Sequence, residues 1–342
     1  MTVQSEMKLT NEVIERFRCP ACHAGLVPTG EELHCRNTEC QSRYPIVDGI
    51  PVVINEHASV FTLDDFRANR MTTLLRARPG PLKNAIEGML GSDRYARLKK
   101  SIRNALPSTS GNIEPQRNYR RLSEMLSQRP GRTRVLILGG GILGDGMEAL
   151  MSNPTADFIE SDVSFGPRTK LICDAHDIPF EDGVFDAVIV QAVLEHVVDA
   201  PRCVDEIHRV LKPDGLVYAE TPFMQQVHAG RYDFTRYTHL GHRRLFRRFE
   251  EIDSGLICGP GMALAWAYQY FLLSFVASRR MRSLVAAFAA WTSFYLKYFD
   301  GYLAKKNGAY DAASGFYILV RKSTAVFSDR ELIRSYRGLD SM

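Results

Sequence analysis

The stretch LILGGGILGDG, residues 136–146, constrains the fold of this chain most. Its glycines follow a β-branched and leucine run, Val135 to Leu138, that reads as a buried strand. Glycine lets the chain turn sharply at the strand end and brings backbone N–H groups close to a ligand. Gly139, Gly141 and Gly144 fit the spacing G-x-G-x-x-G. The pattern alone admits a nucleotide-type ligand or a bare strand-to-helix turn.

Segments beyond the loop extend the pattern. GMEALM reads as helix, DFIESDVS as a second strand ending in an acid, and KLICD as a third. Asp162 can accept hydrogen bonds from both hydroxyls of a ribose, a device shared by NAD and S-adenosylmethionine sites. An acid capping a loop is the plainer alternative. FDAVIVQ is a fourth strand, PRCVDEIHRVLKPDG a helix with Pro201 near its start and Gly215 after its end, and LVYAETP a fifth strand.

A second constraint lies upstream. Four of the seven cysteines fall within residues 19–40, as Cys19-x2-Cys22 and Cys35-x4-Cys40. Two close pairs suit a tetrahedral Zn²⁺ held by four thiolates, and a closed site of that kind is structural. Four ordinary buried thiols are the plainer alternative. His23 and His34 flank the pairs. The segment is too short to bury a core alone, so the metal would supply folding energy. SRYPIVDGIPVVI then reads as a hairpin. The N-terminal residues MTVQSEMKLTNEVIERF lack the apolar core of a secretory signal, so a cytoplasmic, reducing setting is expected. A net charge of +4 over 342 residues does not call for nucleic acid.

Two resemblances sharpen these readings. CPAC, LHC and the tail C-x-x-x-YPIVDGIPVVI, about residues 17–54, resemble the small zinc-ribbon-like domain of the tRNA-methyltransferase activator family. CDAHDIPFEDGVFDAVIVQAVLEHV with VLKPDG resembles the class I S-adenosylmethionine-dependent methyltransferases, in the branch with D-A-x-x-L-P-F, F-D-x-V and L-K-P-G-G motifs. The second resemblance covers about residues 131–258 and a last strand near 315–321. It implies that Gly139, Gly140 and Gly141 pass close to the methionine end and ribose of S-adenosylmethionine. Asp162 would hold the ribose hydroxyls. Asp174 would meet the adenine amino group with Ala175 and His176 beside the ring, and Gln191 would face the methionine moiety. The family carries an acid in the first strand near the position of Ile137; here there is none, and Asp145 is the candidate substitute.

The acceptor side is expected in TPFMQQVHAGRYDFTRYTHLGHRRLF, residues 221–246. His228 is the candidate base and Asp233 its orienting partner. A backbone-bonding His228 and an Asp233–Arg236 ion pair are the plainer alternatives. His196 in LEHV reads as a helix-start residue. Arg243, Arg244, Arg247 and Arg248 read as the solvated side of an amphipathic helix. The loop pattern Q-x-x-H-x-x-x-x-D-F-x-R-Y-T resembles bacterial methyltransferases of glycan and secondary metabolism.

Gly255 to Ser278 carries no charge, and a second apolar run comes after RRMR. Since the last strand must return to the same domain, a helical hairpin is expected rather than a membrane span. It can be buried, homodimer-forming or laid on a membrane surface.

The expected architecture is α/β: a Rossmann-like, seven-stranded, mostly parallel sheet with a small N-terminal zinc ribbon and a helical hairpin insert. The divisions are a zinc ribbon (1–56), a helical linker or lid (57–130), a methyltransferase core (131–258), the hairpin (259–305), a final core strand (306–323) and a tail (324–342). The expected function is S-adenosylmethionine-dependent methyl transfer to a small molecule, sugar or lipid-linked sugar, in the cytoplasm or on the inner face of its membrane. The alternatives are a tRNA or protein methyltransferase and a non-catalytic cofactor-binding scaffold.

Overall fold

The first strands form two short hairpins: β1 (Leu26–Thr29) with β2 (Glu32–Cys35), and β3 (Arg43–Val47) with β4 (Ile50–Val53). Asp48 and Gly49 join the second pair with φ of 51° and 75°. A two-residue turn with both central residues left-handed matches the strand twist, which is why DG sits there. The structure, a computed structural model, describes residues 7–67, 108–113 and 115–341. Residues 68–107 and 114 of the expected helical linker or lid lie outside them.

The remaining strands are β5 (Thr133–Leu138), β6 (Ala156–Asp162), β7 (Leu171–Cys173), β8 (Phe185–Gln191), β9 (Leu211–Pro222), β10 (Phe249–Cys258) and β11 (Gly315–Lys322). The sheet order is β1-β2-β3-β4-β7-β6-β5-β8-β9-β11-β10. Pairing is parallel from β4 through β9 by way of β7, β6, β5 and β8, and antiparallel where β11 inserts between β9 and β10. The mixed, mostly parallel core agrees with expectation, but the sheet has eleven strands rather than seven. The reason is that β4 pairs in parallel with β7, Val52 beside Ile172 and Val53 beside Cys173.

The N-terminal module is therefore an edge of the main sheet. Phe17 packs edge-on against Phe180 with ring centroids 4.9 Å apart, and Arg16 and Arg18 pair with Glu181. The buried residues of the module join one core cluster with Leu136, Leu138 and Val188. The alternate residues of β5, Val135 and Ile137, face the other side of the sheet. This is the two-residue alternation of a strand covered on both faces. There the helix Pro115–Ser127 lays Tyr119, Leu122 and Leu126 on the sheet. Among the described residues of the expected linker, that helix is part of the core.

One element boundary differs from expectation. The helix after β8 stops at Val210, and Leu211 already pairs with Phe185 as the start of β9. Pro213 has no N–H to continue a helix and disfavours helical geometry before it. Asp214 then takes a φ of 58°.

The apolar runs form two helices, Pro260–Ser274 and Arg279–Ser293. Buried Asp300 fixes the first by accepting from the N–H groups of Gly261 at 2.6 Å and Met262 at 3.0 Å. No described helix is long and apolar enough to cross a membrane. The outer side of the hairpin is open: Phe275 is 76% exposed, Trp291 59% and Tyr298 70%.

Candidate active site

The sheet delivers its functional groups at the carboxyl ends of β5, β6, β7, β8 and β9, where open α/β sheets bind ligands. At the end of β5, Gly139 has a φ of 72°, and a Cβ there would lie 2.4 Å from Val193 Cγ2. Only glycine meets both conditions. Gly141 donates its N–H to Asp162 Oδ2 at 3.0 Å, and a Cβ on it would sit 2.7 Å from that oxygen. Ser164 Oγ donates to Asp162 Oδ1 at 2.8 Å. Burial raises the Asp162 pKa above the ordinary aspartate value, and these hydrogen bonds work against the rise.

A cavity of ≈ 330 Å³ opens over these groups. Gly139, Asp162, Asp174, Ala175 and His176 all line it. Gly140 and Gly141 do not; their N–H groups are turned to Ser161 O and to Asp162. Asp174 is held by protein donors: Ser59 Oγ, the His176 N–H at 3.0 Å and His176 Nδ1 at 2.6 Å. Burial opposes its charge, but the His176 and Ser59 bonds keep its pKa below the usual value. His176 Nε2 in turn accepts from the Asp199 N–H at 3.0 Å. The ring is thus fastened at both nitrogens. Ser59 and Phe61 come from the chain just after the N-terminal module, and Phe61 stacks on Tyr232 with centroids 5.8 Å apart at the cavity wall.

A second cavity of ≈ 410 Å³ adjoins the first and shares Gly139, Ile142, Ala192 and His228 with it. Gln191 and Asp145 line this one, as does Glu220 at the end of β9. Glu220 accepts from Tyr218 Oη at 2.7 Å and Gln191 Nε2 at 2.9 Å. Neither partner carries a charge, and burial pushes the Glu220 carboxyl up to about 7.

Where the two cavities meet, Glu195, His196 and His228 converge. Glu195 is fully buried, and neither carboxylate oxygen has a hydrogen-bond partner among the described residues. Its Oε1 lies 3.7 Å from His196 Nε2 and 3.8 Å from His228 Nε2. Burial pushes Glu195 up to about 8 despite the opposing charge of Arg236. His196 stands below its ordinary pKa through burial and the neighbouring His228.

His228 therefore reaches both cavities, but Asp233 lines neither of them. Its carboxylate pairs with Arg236, at 2.9 Å from Nη2, and accepts from the His228 backbone N–H at 2.8 Å. It lies 3.5 Å from His228 Nδ1. It ties down the loop that carries His228. The basic cluster is also engaged: Arg243 pairs with Glu251, Arg244 with Asp329 and Arg248 with Asp205.

The four cysteine sulfurs lie within 4.8 Å of one another. Cys19 and Cys40 are 3.8 Å apart and Cys22 and Cys35 3.4 Å. Zn–S bonds of about 2.3 Å in a tetrahedron place sulfurs about 3.8 Å apart, so the donor set fits that ion. The Asn37 N–H points at Cys35 Sγ at 3.4 Å and Tyr44 Oη lies 3.2 Å from Cys19 Sγ, as donors to thiolates would. His34 is turned to Glu32, at 3.1 Å.

Glu195, His196 and Glu220 are functional candidates that sequence reasoning passes over. An acid inside an otherwise apolar run, as in LVYAETP, is the available signal for Glu220.

Comparison with known proteins bears on the same segment. An arginine-hydroxylase NDUFAF5 of Mus musculus is 38% identical over 58 residues, 17% of this chain and 16% of that one. A demethylmenaquinone methyltransferase of Symbiobacterium thermophilum is 32% identical over 103 residues, 29% of this chain and 38% of that one. The matches thus span well under two thirds of either relative. A solved phosphoethanolamine N-methyltransferase 2 of Haemonchus contortus with S-adenosyl-L-methionine is 15% identical, covering 60% of this chain and 52% of that one at a TM-score of 0.38. Residues 147–219, from the helix after the glycine loop to the residue before Glu220, match the family model described as a methyltransferase domain.

Proposed function

We propose that the protein transfers a methyl group from S-adenosylmethionine to a hydroxyl of a small molecule, sugar or lipid-linked sugar. The observation that carries this reading is the pair of joined cavities, one lined by Asp162 and Asp174 and the other by Glu220 and Gln191, with His228 on both. The methyltransferase-domain match spans most of these groups. S-adenosylmethionine would supply an electrophilic methyl on a sulfonium, a good leaving group.

The residues fit that cofactor group by group. Asp162 accepts at a strand end, where ribose hydroxyls are recognised. Glu220, buried with neutral partners, suits the methionine ammonium and stands in for the acid absent at Ile137, with Asp145 on the same cavity. His228 is the group placed to take the acceptor proton, and Asp233 positions it. Alignment of acceptor and methyl supplies the largest share of the rate, up to about 7–11 kcal/mol.

Calorimetry with S-adenosylhomocysteine tests this. Binding is expected, with no comparable binding of NAD. Asp162→Ala should weaken it by about 1.5–3 kcal/mol, as for a hydrogen bond to a charged group. Equal binding of NAD would defeat the assignment. Binding without methyl transfer to any hydroxyl acceptor would favour the scaffold alternative.

Two further assignments belong to this reading. The four cysteines hold a structural zinc. The open aromatic face of the hairpin rests on a membrane surface, on the cytoplasmic side, which suits a lipid-linked acceptor. Phe275, Trp291 and Tyr298 provide the apolar contact, and Arg279, Arg280 and Arg282 begin the second helix. Co-sedimentation with anionic vesicles that weakens with salt is expected. Full recovery in the supernatant would leave this face to a homodimer.

A further inference from the structure

Three hydrogen-bond acceptors converge at the junction of the two cavities: the Glu195 carboxylate and one ring nitrogen each of His196 and His228. His196 Nδ1 lies 2.9 Å from the carbonyl of Tyr232. His228 Nδ1 lies 3.3 Å from the carbonyl of Gln226 and 3.5 Å from Asp233 Oδ2. Each ring therefore places its N–H at Nδ1, toward an oxygen, and leaves Nε2 as a lone pair. Both Nε2 atoms face Glu195 Oε1, at 3.7 and 3.8 Å, and the carboxylate has no hydrogen-bond partner among the described residues.

A buried carboxylate facing two imidazole lone pairs forms a donor set that a positive charge between them would satisfy. A proton is the first candidate. It would draw one nitrogen to about 2.7–2.9 Å from the oxygen, and both contacts are nearly an ångström longer. The spacing suits a larger cation. Bonds of about 2.0–2.2 Å to nitrogen and oxygen place neighbouring ligand atoms about 3–4 Å apart. Metal-bound histidines characteristically donate their second nitrogen to a carbonyl or carboxylate, which fixes tautomer and ring orientation. Both rings here are held in that way. Arg236, whose charge acts on Glu195, is committed to Asp233.

We propose that Glu195, His196 and His228 bind one divalent first-row metal cation at the junction of the two cavities. Three protein ligands leave coordination positions open, unlike the closed four-cysteine set. His196 lines the first cavity and His228 lines both, so a ligand in either would come within reach of such a cation. A cation there would orient an acceptor oxygen and lower its pKa, so that the proton leaves without a strong base. That use rests on the proposed function; the site itself does not, and its test is read without turnover.

The probe is Mn²⁺ alone, added to the full-length purified protein and followed by electron paramagnetic resonance. Manganese favours oxygen and nitrogen donors over thiolates, which keeps it off the cysteine cluster. One saturable site per chain is expected, with spin-echo modulation from directly bound imidazole nitrogen. Glu195→Gln and His196→Asn should each weaken binding at least about tenfold. Circular dichroism establishes that each variant is folded; if either is not, the nitrogen signature of the unsubstituted protein decides. No saturable binding, or binding without nitrogen coupling, would overturn the proposal. So would affinity unchanged in both folded variants. Mn²⁺ binding without methyl transfer would keep the site and defeat only the proposed reaction. Methyl transfer without Mn²⁺ binding would do the reverse and leave His228 as the base.

Discussion

The half of the cleft proposed to hold the cofactor and the Glu195, His196 and His228 cluster proposed to meet the acceptor are built on opposite principles. In the cofactor half the carboxylates and the imidazole are partnered. Asp162 is held by Gly141 and Ser164, Asp174 by Ser59 and His176, and His176 by Asp199. In the acceptor half the decisive carboxylate, Glu195, is buried with no hydrogen-bond partner among the described residues, beside two imidazoles. A satisfied network rigidifies a site, whereas an unsatisfied one holds free energy in reserve for whatever completes it. On the proposed reading the first half is preorganised for the cofactor, and the second would be completed by a cation, an acceptor, or both.

The strongest way to break this contrast is to remove the zinc we propose for the four cysteines. The N-terminal module supplies β4 to the sheet beside β7, and the chain leaving it supplies Ser59 to Asp174 and Phe61 to the cavity wall. Chelation, or Cys40→Ser, should therefore unfold the module and abolish measurable S-adenosylhomocysteine binding with it. Elemental analysis should find one zinc bound by the cysteines, and calorimetry tracks the loss. Full cofactor affinity in a zinc-free protein would show that the preorganisation resides in the parallel strands alone.

That dependence marks where sequence stops being legible. The glycine loop, Asp162 and the Asp174 block are contiguous motifs at strand ends, so local pattern locates them. The pairing of Val52 with Ile172 joins segments 120 residues apart, and no local period reports it. Glu195 is hidden for another reason. An acid is expected at the surface, so LEHV reads as the start of a helix. Only the fold brings His228, from the loop after β9, against it. VLKPDG ends in turn residues and so reads as the tail of a helix; the strand pairing of Leu211 overrides that pattern.

The second test acts on the acceptor half. His228→Ala should lower turnover about 10²–10⁴-fold, the range for a positioned base, and a comparable loss is expected if the imidazole is a metal ligand. S-adenosylhomocysteine affinity should stay near its original value, because the groups proposed to hold the cofactor have their own partners. Parallel loss of affinity and turnover would show that His228 braces the cofactor cavity through the wall it shares, and the two halves would cease to be separable.

The smallest effect is a proton at Glu220, on the wall of the second cavity. Burial lifts its folded pKa from 4.5 to about 7. The folded chain therefore keeps a proton that the unfolded chain has lost between those values. Stability contributed by this group is complete below about 4.5 and declines as pH rises through about 7. An ammonium placed beside the carboxylate would favour its charged form and expel the proton. Binding of S-adenosylhomocysteine at pH 7 should then release about half a proton, read as a dependence of the binding heat on the buffer's ionisation enthalpy. Glu220→Gln, which keeps the shape and both neighbours, should flatten the stability profile between pH 5 and 7, weaken binding and remove the buffer dependence. A buffer dependence unchanged in that variant would move ammonium recognition to Asp145, on the wall of the same cavity.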